Sequence, residues 1–191
     1  PTVTPDPTAT ATPLPAAPKS TPLPLPTTPP PSTSIPLPTW ANEFQLGATV
    51  VDIPAHSPLM LDSGMTWVQR QVTHTTGGNA SLPVINTAHD QRLRILLTVA
   101  QDEDRILDGT YQAEYVSYLA ALADAGADGI EVGYEPNMSR GGSILQPGEY
   151  TRLLCEAYNA IKGANPETLV ISAAPVPTGY YGGCSAEGCD D

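Results

Sequence analysis

Apolar and polar positions alternate along the second half of the chain in two registers. Short runs rich in β-branched residues give way, in turn, to longer stretches with helical spacing. The runs "FQLGATVV" (44–51), "MTWVQRQVTH" (65–74), "RLRILLTVA" (92–100), "GIEVGYEPN" (129–137) and "TLVISAAPVP" (168–177) predict five strands. Helical stretches fall between them: near "HSPLMLDSG" (56–64), over "SLPVINTAHDQ" (81–91), over "YQAEYVSYLAALADAG" (111–126), and from Pro147 to Gly163. In the third, Val116, Leu119, Ala120 and Ala123 share a face and Gly126 suits a C-terminal cap. In the fourth, Tyr150, Leu153, Leu154, Ala157, Tyr158 and Ile161 form the apolar face, and Pro147 fits the first turn.

Strand and helix in strict alternation predict a parallel sheet of β-α units. Two α/β architectures accept five such units: an open doubly wound sheet, or the first five units of a (β/α)8 TIM barrel. No strand is followed by G-x-G-x-x-G or a Walker-type lysine loop, which argues against the nucleotide-binding form of the first. A whole barrel takes about 250 residues, so the expectation is a partial TIM barrel.

Composition then divides the chain. Residues 1–39 hold 14 prolines and 10 threonines, with Asp6 and Lys19 the only charges. Such a segment buries too little apolar surface to offset ordering, and is expected to be a disordered, partly polyproline II tether. Residues 40–191 form the expected folded domain. The tether's charges cancel, so the net charge of −12 belongs to the domain. That balance excludes a basic nucleic-acid footprint and attraction to an anionic membrane surface. No apolar run reaches the roughly 20 residues that span a bilayer. A Thr/Pro stalk before an acidic domain points to an extracellular or cell-surface-tethered protein.

In an oxidising compartment, Cys184 and Cys189 in "GCSAEGCDD" can close a small disulfide loop, with Cys155 expected as a buried free thiol. Four Cys/His ligands at zinc spacing are absent.

The stretch "GIEVGYEPN" (129–137) carries the chemistry. Read as a strand, it directs Glu131, Gly133 and Glu135 to one face and Ile130, Val132 and Tyr134 to the other. The apolar set would lie beneath helices, and the glutamates would face the barrel interior. Glu131, the deeper one, then needs a partner such as Gln69 or Arg70.

"IEVGYEPN" resembles the E-V-W-N-E-P-N strand of the retaining (β/α)8 glycoside hydrolases, the clan that includes family 5 cellulases and family 39 xylosidases. "GMTWVQRQV" is similar to that clan's second strand, and "YNAIKGANPETLVISAAPVPTG" to its fourth helix and fifth strand. The resemblance implies that Glu135 is the general acid/base at the C-terminal end of strand four. It also implies a second carboxylate on strand seven as nucleophile, a carbohydrate substrate and no cofactor. Gly133 and Tyr134 stand where the clan has Trp and Asn.

Other candidates for contacting a sugar are Tyr134, His74 at the end of strand two, Trp67 as an aromatic platform, and Asn137, which is also placed to orient its loop. Trp40, Tyr180 and Tyr181 are weaker candidates. His56 and His89 read as surface residues, and Asp102, Glu103, Asp104, Asp190 and Asp191 as solvated loop charges. Two further classes stay open: a non-catalytic carbohydrate-binding or surface protein on a barrel shell, and a self-sufficient five-stranded open α/β domain with an unrelated ligand.

Overall fold

A computed structural model describes residues 44–74, 82–138 and 144–177, all of which belong to one compact unit, Leu37–Asp191. The tether, Trp40, Tyr180, Tyr181 and the Cys184–Cys189 pair lie outside the described residues.

The order of elements is β1 (Gly47–Thr49), α1 (Ile53–Asp62), β2 (Trp67–Thr73), α2 (Leu82–Asp90), β3 (Arg94–Ala100), α3 (Gly109–Asp124), β4 (Gly129–Val132), α4 (Pro147–Ala164) and β5 (Leu169–Ser172). The strands pair in parallel in the order β1-β2-β3-β4-β5. A doubly wound sheet reverses its strand order at a switch point. Here the order never reverses, so crossovers of one hand put all four helices on one face. This is the arrangement of consecutive barrel units, and it decides between the two architectures.

Strand alternation divides the sheet into an apolar and a polar face. Val68, Ile95, Leu97, Val99, Ile130 and Val132 are fully buried beneath the helices. They meet Ile85 of α2, Leu119 and Leu122 of α3, and Leu153, Ala157 and Ile161 of α4. The opposite face, called inner below, carries Trp67, Gln69, Thr98, Glu131, Leu169 and Ile171. Residues of this face line two hollows, one at each end of the strands.

Local chemistry sets the helix ends. The Asp52 carboxylate caps α1 by accepting from the Ala55 N–H at 3.1 Å, which starts that helix earlier than the apolar pattern indicates. Pro58 cannot donate to the Pro54 carbonyl, and the Ser57 hydroxyl bonds that oxygen instead at 3.3 Å. Gly126, at φ +96°, closes α3 as expected. At α4, the Glu149 carboxylate accepts from the Gln146 N–H at 3.0 Å.

Two burial expectations are corrected. Cys155 is an exposed thiol, not a buried one, and Tyr158 is exposed as well. Both lie on α4 outside its buried stripe of Leu153, Ala157 and Ile161. Among the described residues, no helix is long and apolar enough to cross a membrane.

Candidate active site

β4 stops at Val132, earlier than the sequence pattern suggests. The last sheet bond is the Gly133 N–H donating to the Val99 carbonyl at 3.1 Å. Gly133 then adopts φ +96° and Glu135 φ +45°, so the chain turns out of the sheet. The expectation that Glu135 continues the strand alternation is therefore corrected: Glu135 sits in a turn beyond the strand. The Met138 N–H donates back to the Glu135 carbonyl at 3.1 Å. A non-glycine residue in the left-handed region costs roughly 1–2 kcal/mol, and a following proline restricts it further.

That turn is held from both sides. Gln101, just past β3 and buried, donates through Nε2 to the Tyr134 carbonyl at 3.0 Å and accepts the Tyr134 N–H at 2.9 Å. Asn137, also buried, donates through Nδ2 to the Val176 carbonyl at 2.8 Å and accepts the Val176 N–H at 2.9 Å. Asn137 is thus spent on the segment leaving β5, the loop-orienting role anticipated for it. From α4, the Tyr150 hydroxyl donates to the Val132 carbonyl at 2.9 Å and accepts the Ala173 N–H at 2.6 Å. Burial pushes the Tyr150 phenol above its ordinary range, against the lowering effect of the Ala173 bond.

Glu135 and Tyr134 line a cleft of about 250 Å³ at the C-terminal ends of the strands. Gln69, Gln71, Thr98 and Glu131 form its floor, and residues 174–177 after β5 form one wall. Glu131 is reached by a chain of hydrogen bonds across the inner face. Thr49 Oγ1 donates to Gln69 Oε1 at 2.8 Å, and Gln69 Nε2 donates to Thr98 Oγ1 at 2.7 Å. Thr98 Oγ1 donates in turn to Glu131 Oε2 at 2.6 Å, and Glu131 Oε1 accepts the Ala174 N–H at 3.4 Å. Thr98 spends its only proton on Glu131 because it already accepts from Gln69, so Glu131 is addressed as an acceptor on both oxygens. The partner anticipated from Gln69 thus works through Thr98. Arg70 points to the helix side, donating to the Val50 and Val51 carbonyls.

The other predicted contacts lie elsewhere. His74 is buried under α3, its ring 4.9–5.7 Å from those of Tyr111, Tyr115 and Tyr118. It is on the helix side of the sheet and does not line the cleft. Among the described residues its Nδ1 has no hydrogen-bond partner, and burial, opposed by the nearby Glu114 charge, pulls its pKa below the ordinary histidine value. Trp67 is half-buried on the inner face, but at the opposite end of the strands. There it lines a more apolar hollow of about 420 Å³ with Leu96, Leu169 and Ile171, and the Arg94 guanidinium lies 5.9 Å from its ring centre. That hollow is larger than the cleft, and none of the described residues lining it is a carboxylate. His56 and His89 are exposed, with His89 Nε2 2.8 Å from Asp128 Oδ2. Asp102, Glu103 and Asp104 fall outside the cleft lining. No group of three or more His, Cys, Asp or Glu among the described residues is disposed to hold a metal ion.

Sequence reading missed Gln101, Tyr150 and Thr98. Thr98 carries a legible signal, a hydroxyl on the inner-facing parity of an otherwise aliphatic strand. Gln101 and Tyr150 carry none, since their partners are main-chain atoms far away along the chain.

No family model matches the chain, and no curated protein matches it at a significant level. Solved structures do. The endoglucanase Cel5A from the hyperthermophile Thermotoga maritima aligns with TM-score 0.51 and 19% identity, over 65% of this chain and 45% of that one. Cel5A of the same organism in complex with mannotriose aligns with TM-score 0.52 and 19% identity, over 72% and 48%. Its complex with cellobiose gives 0.52 and 18%, over 67% and 52%. The likeness is one of fold, a partial TIM barrel. The chain spans about half the length of the structures it matches.

Proposed function

We propose that this chain carries the strand-four half of the active site of a retaining (β/α)8 glycoside hydrolase, with Glu135 as general acid/base. The observation that supports the reading is the placement of Glu135. It is held in a strained turn at the C-terminal end of β4 and opens onto a cleft that a second acidic residue floors. Barrel enzymes assemble their sites at this end of the strands, and strain that the surroundings over-determine is characteristic of functional positions.

In the double displacement, Glu135 protonates the leaving glycosidic oxygen as the bond to the anomeric carbon breaks. A second carboxylate forms the glycosyl ester. Glu135, now ionised, then takes a proton from the water that cleaves it. That nucleophile would come from a seventh strand, beyond the five described. Among the described residues the cleft lining includes no lysine or arginine, which suits a neutral sugar of the kind named in the Cel5A complexes, cellobiose and mannotriose. The Pro/Thr-rich segment suits a stalk that holds the domain outside the cell.

A second reading, glycan binding without turnover, is favoured by Tyr134. It stands where the clan's asparagine would bind the sugar 2-hydroxyl and cannot copy an amide's geometry.

The test uses the protein extended in its reading frame through a seventh strand. Glu135→Gln is expected to lower kcat/KM on oligosaccharides by about 10²–10⁴-fold. Glu135→Ala should retain its first step on dinitrophenyl glycosides, whose leaving group needs no acid, and azide should then speed turnover and yield a β-glycosyl azide. Full activity in Glu135→Ala sinks the acid/base assignment. A wild-type protein that binds cellotetraose but cleaves no aryl glycoside establishes the second reading.

A further inference from the structure

We propose that Gln101 is a positioning residue that fixes the direction in which Glu135 is presented, by acting as a side-chain substitute for a strand partner where the sheet has ended. The inference rests on the reading of Glu135 as the acid/base.

Three observations converge on it. Backbone pairing between β3 and β4 ends with the Gly133 N–H bonded to the Val99 carbonyl, so the β3 backbone does not pair with the residues that follow. The Gln101 amide meets this gap with both of its functions, donating to the Tyr134 carbonyl and accepting the Tyr134 N–H at 3.0 and 2.9 Å. This two-point grip fixes Tyr134 in both position and rotation, whereas a single bond would leave it free to pivot. Tyr134 is flanked by the two left-handed residues of the turn, Gly133 at φ +96° and Glu135 at φ +45°. Its peptide groups are therefore the point through which the direction of Glu135 is controlled.

Gly133 supplies the third observation. A Cβ built on it would lie 3.2 Å from Gln101 Oε1, so a side chain there would crowd the acceptor of the clamp by a few tenths of an ångström. Asn137 repeats the device one strand further on, gripping Val176 through the same pair of amide functions. The exits of β3, β4 and β5 are thus tied in series by side-chain amides. Glu135 is the acidic residue between the two ties.

The test is NMR on the full chain, comparing wild type with Gln101→Met, which keeps length but offers neither bond, and Gln101→Glu, which restores the acceptor for the Tyr134 N–H. In Gln101→Met, hydrogen exchange at the Tyr134 amide is expected to rise at least tenfold while Ile95 and Leu97 of β3 stay within threefold. The Glu135 carboxyl carbon resonance should move while that of exposed Glu156 on α4 does not. Gln101→Glu should return the Tyr134 amide toward wild-type protection. It also keeps the test open if the methionine variant fails to fold.

Unchanged exchange at Tyr134 overturns the proposal. So does an equal rise at Ile95 and Leu97, which would make Gln101 a general stabiliser. So does an unmoved Glu135 resonance. None of these readouts needs a sugar, so absence of glycan binding in wild type would count against the functional reading alone.

Discussion

At the scale of single residues, Gly133 changes meaning between sequence and structure. Read against the clan's motif it is a missing tryptophan. In the fold it has φ +96°, and its empty Cβ position faces Gln101 Oε1 at 3.2 Å and Ala173 Cβ at 3.6 Å. Both the conformation and the space select glycine here. Gly133→Ala is expected to destabilise the domain by about 1–2 kcal/mol, the ordinary cost of a side chain in left-handed backbone, with a small further loss where the Gln101 clamp is displaced. Urea denaturation checks this, and a variant as stable as wild type would mean that the turn adopts another conformation. Glu135 carries similar strain without the excuse of lacking a Cβ. Its identity as a candidate was legible because a carboxylate before proline is a recognisable string. Its backbone was not, because the turn is imposed by a glutamine 34 positions upstream, Gln101, whose role no local pattern records.

At the scale of elements, period and turn chemistry placed the strands and helices in order, and the differences lie in where α1 begins, where β1 and β4 end, and which face a helix buries. In α3 the sequence pattern emphasises Val116 and Ala120, but the fold leaves these two only partly buried and buries Tyr111, Tyr115 and Tyr118. Their rings are large enough to fill the space above β2 and β3, and the hydroxyls of Tyr111 and Tyr115 find partners there. Tyr115 donates to the Val99 carbonyl at 2.6 Å, and Tyr111 accepts the Asp102 N–H at 2.7 Å. Burial pushes the Tyr111 phenol up to about 12. These rings enclose His74, and the groups facing it are Glu114 on the same helix and Arg105 and Asp102 on the β3–α3 loop. Desolvation lowers the folded pKa of His74 below the unfolded value of about 6.5. Above that value both states hold a neutral ring and His74 adds no pH dependence. As pH falls through it, the unfolded chain takes up a proton that the folded one resists, so stability declines until the folded pKa is passed. The thermal midpoint is therefore expected to fall between pH 7 and 5, and His74→Gln should flatten that part of the profile. A profile unaltered by the substitution would place the acid-sensitive group elsewhere.

At the scale of the whole molecule, the sheet is apolar where the helices cover it and is crossed by a polar chain on the other face. Thr49, Gln69, Thr98 and Glu131 link four consecutive strands and end on the Ala174 N–H beyond the fifth. The sequence shows these side chains only as scattered polar interruptions, because parallel pairing sets which of them meet: Thr49 lies opposite Gln69, and Thr98 opposite Glu131. The direction of donation is uniform, each group handing its proton toward Glu131, so each bond polarises the next. This predicts that residues which do not touch are nonetheless energetically linked. Gln69 and Glu131 share no hydrogen bond with each other, but Thr98, 2% exposed, accepts from one and donates to the other. A double-mutant cycle of Gln69→Ala and Glu131→Gln, measured by urea denaturation, is expected to give a coupling of about 0.5–3 kcal/mol. Repeated in a Thr98→Val background, the coupling should vanish, since valine keeps the shape but neither accepts nor donates. Thr98→Val alone should cost about 1–3 kcal/mol by leaving Glu131 short of a donor. Additivity of the two changes in the native background, within about 0.5 kcal/mol, would reduce the chain to independent pairs. The floor of the cleft would then have to be treated as separate contacts and not as one connected support for its carboxylate.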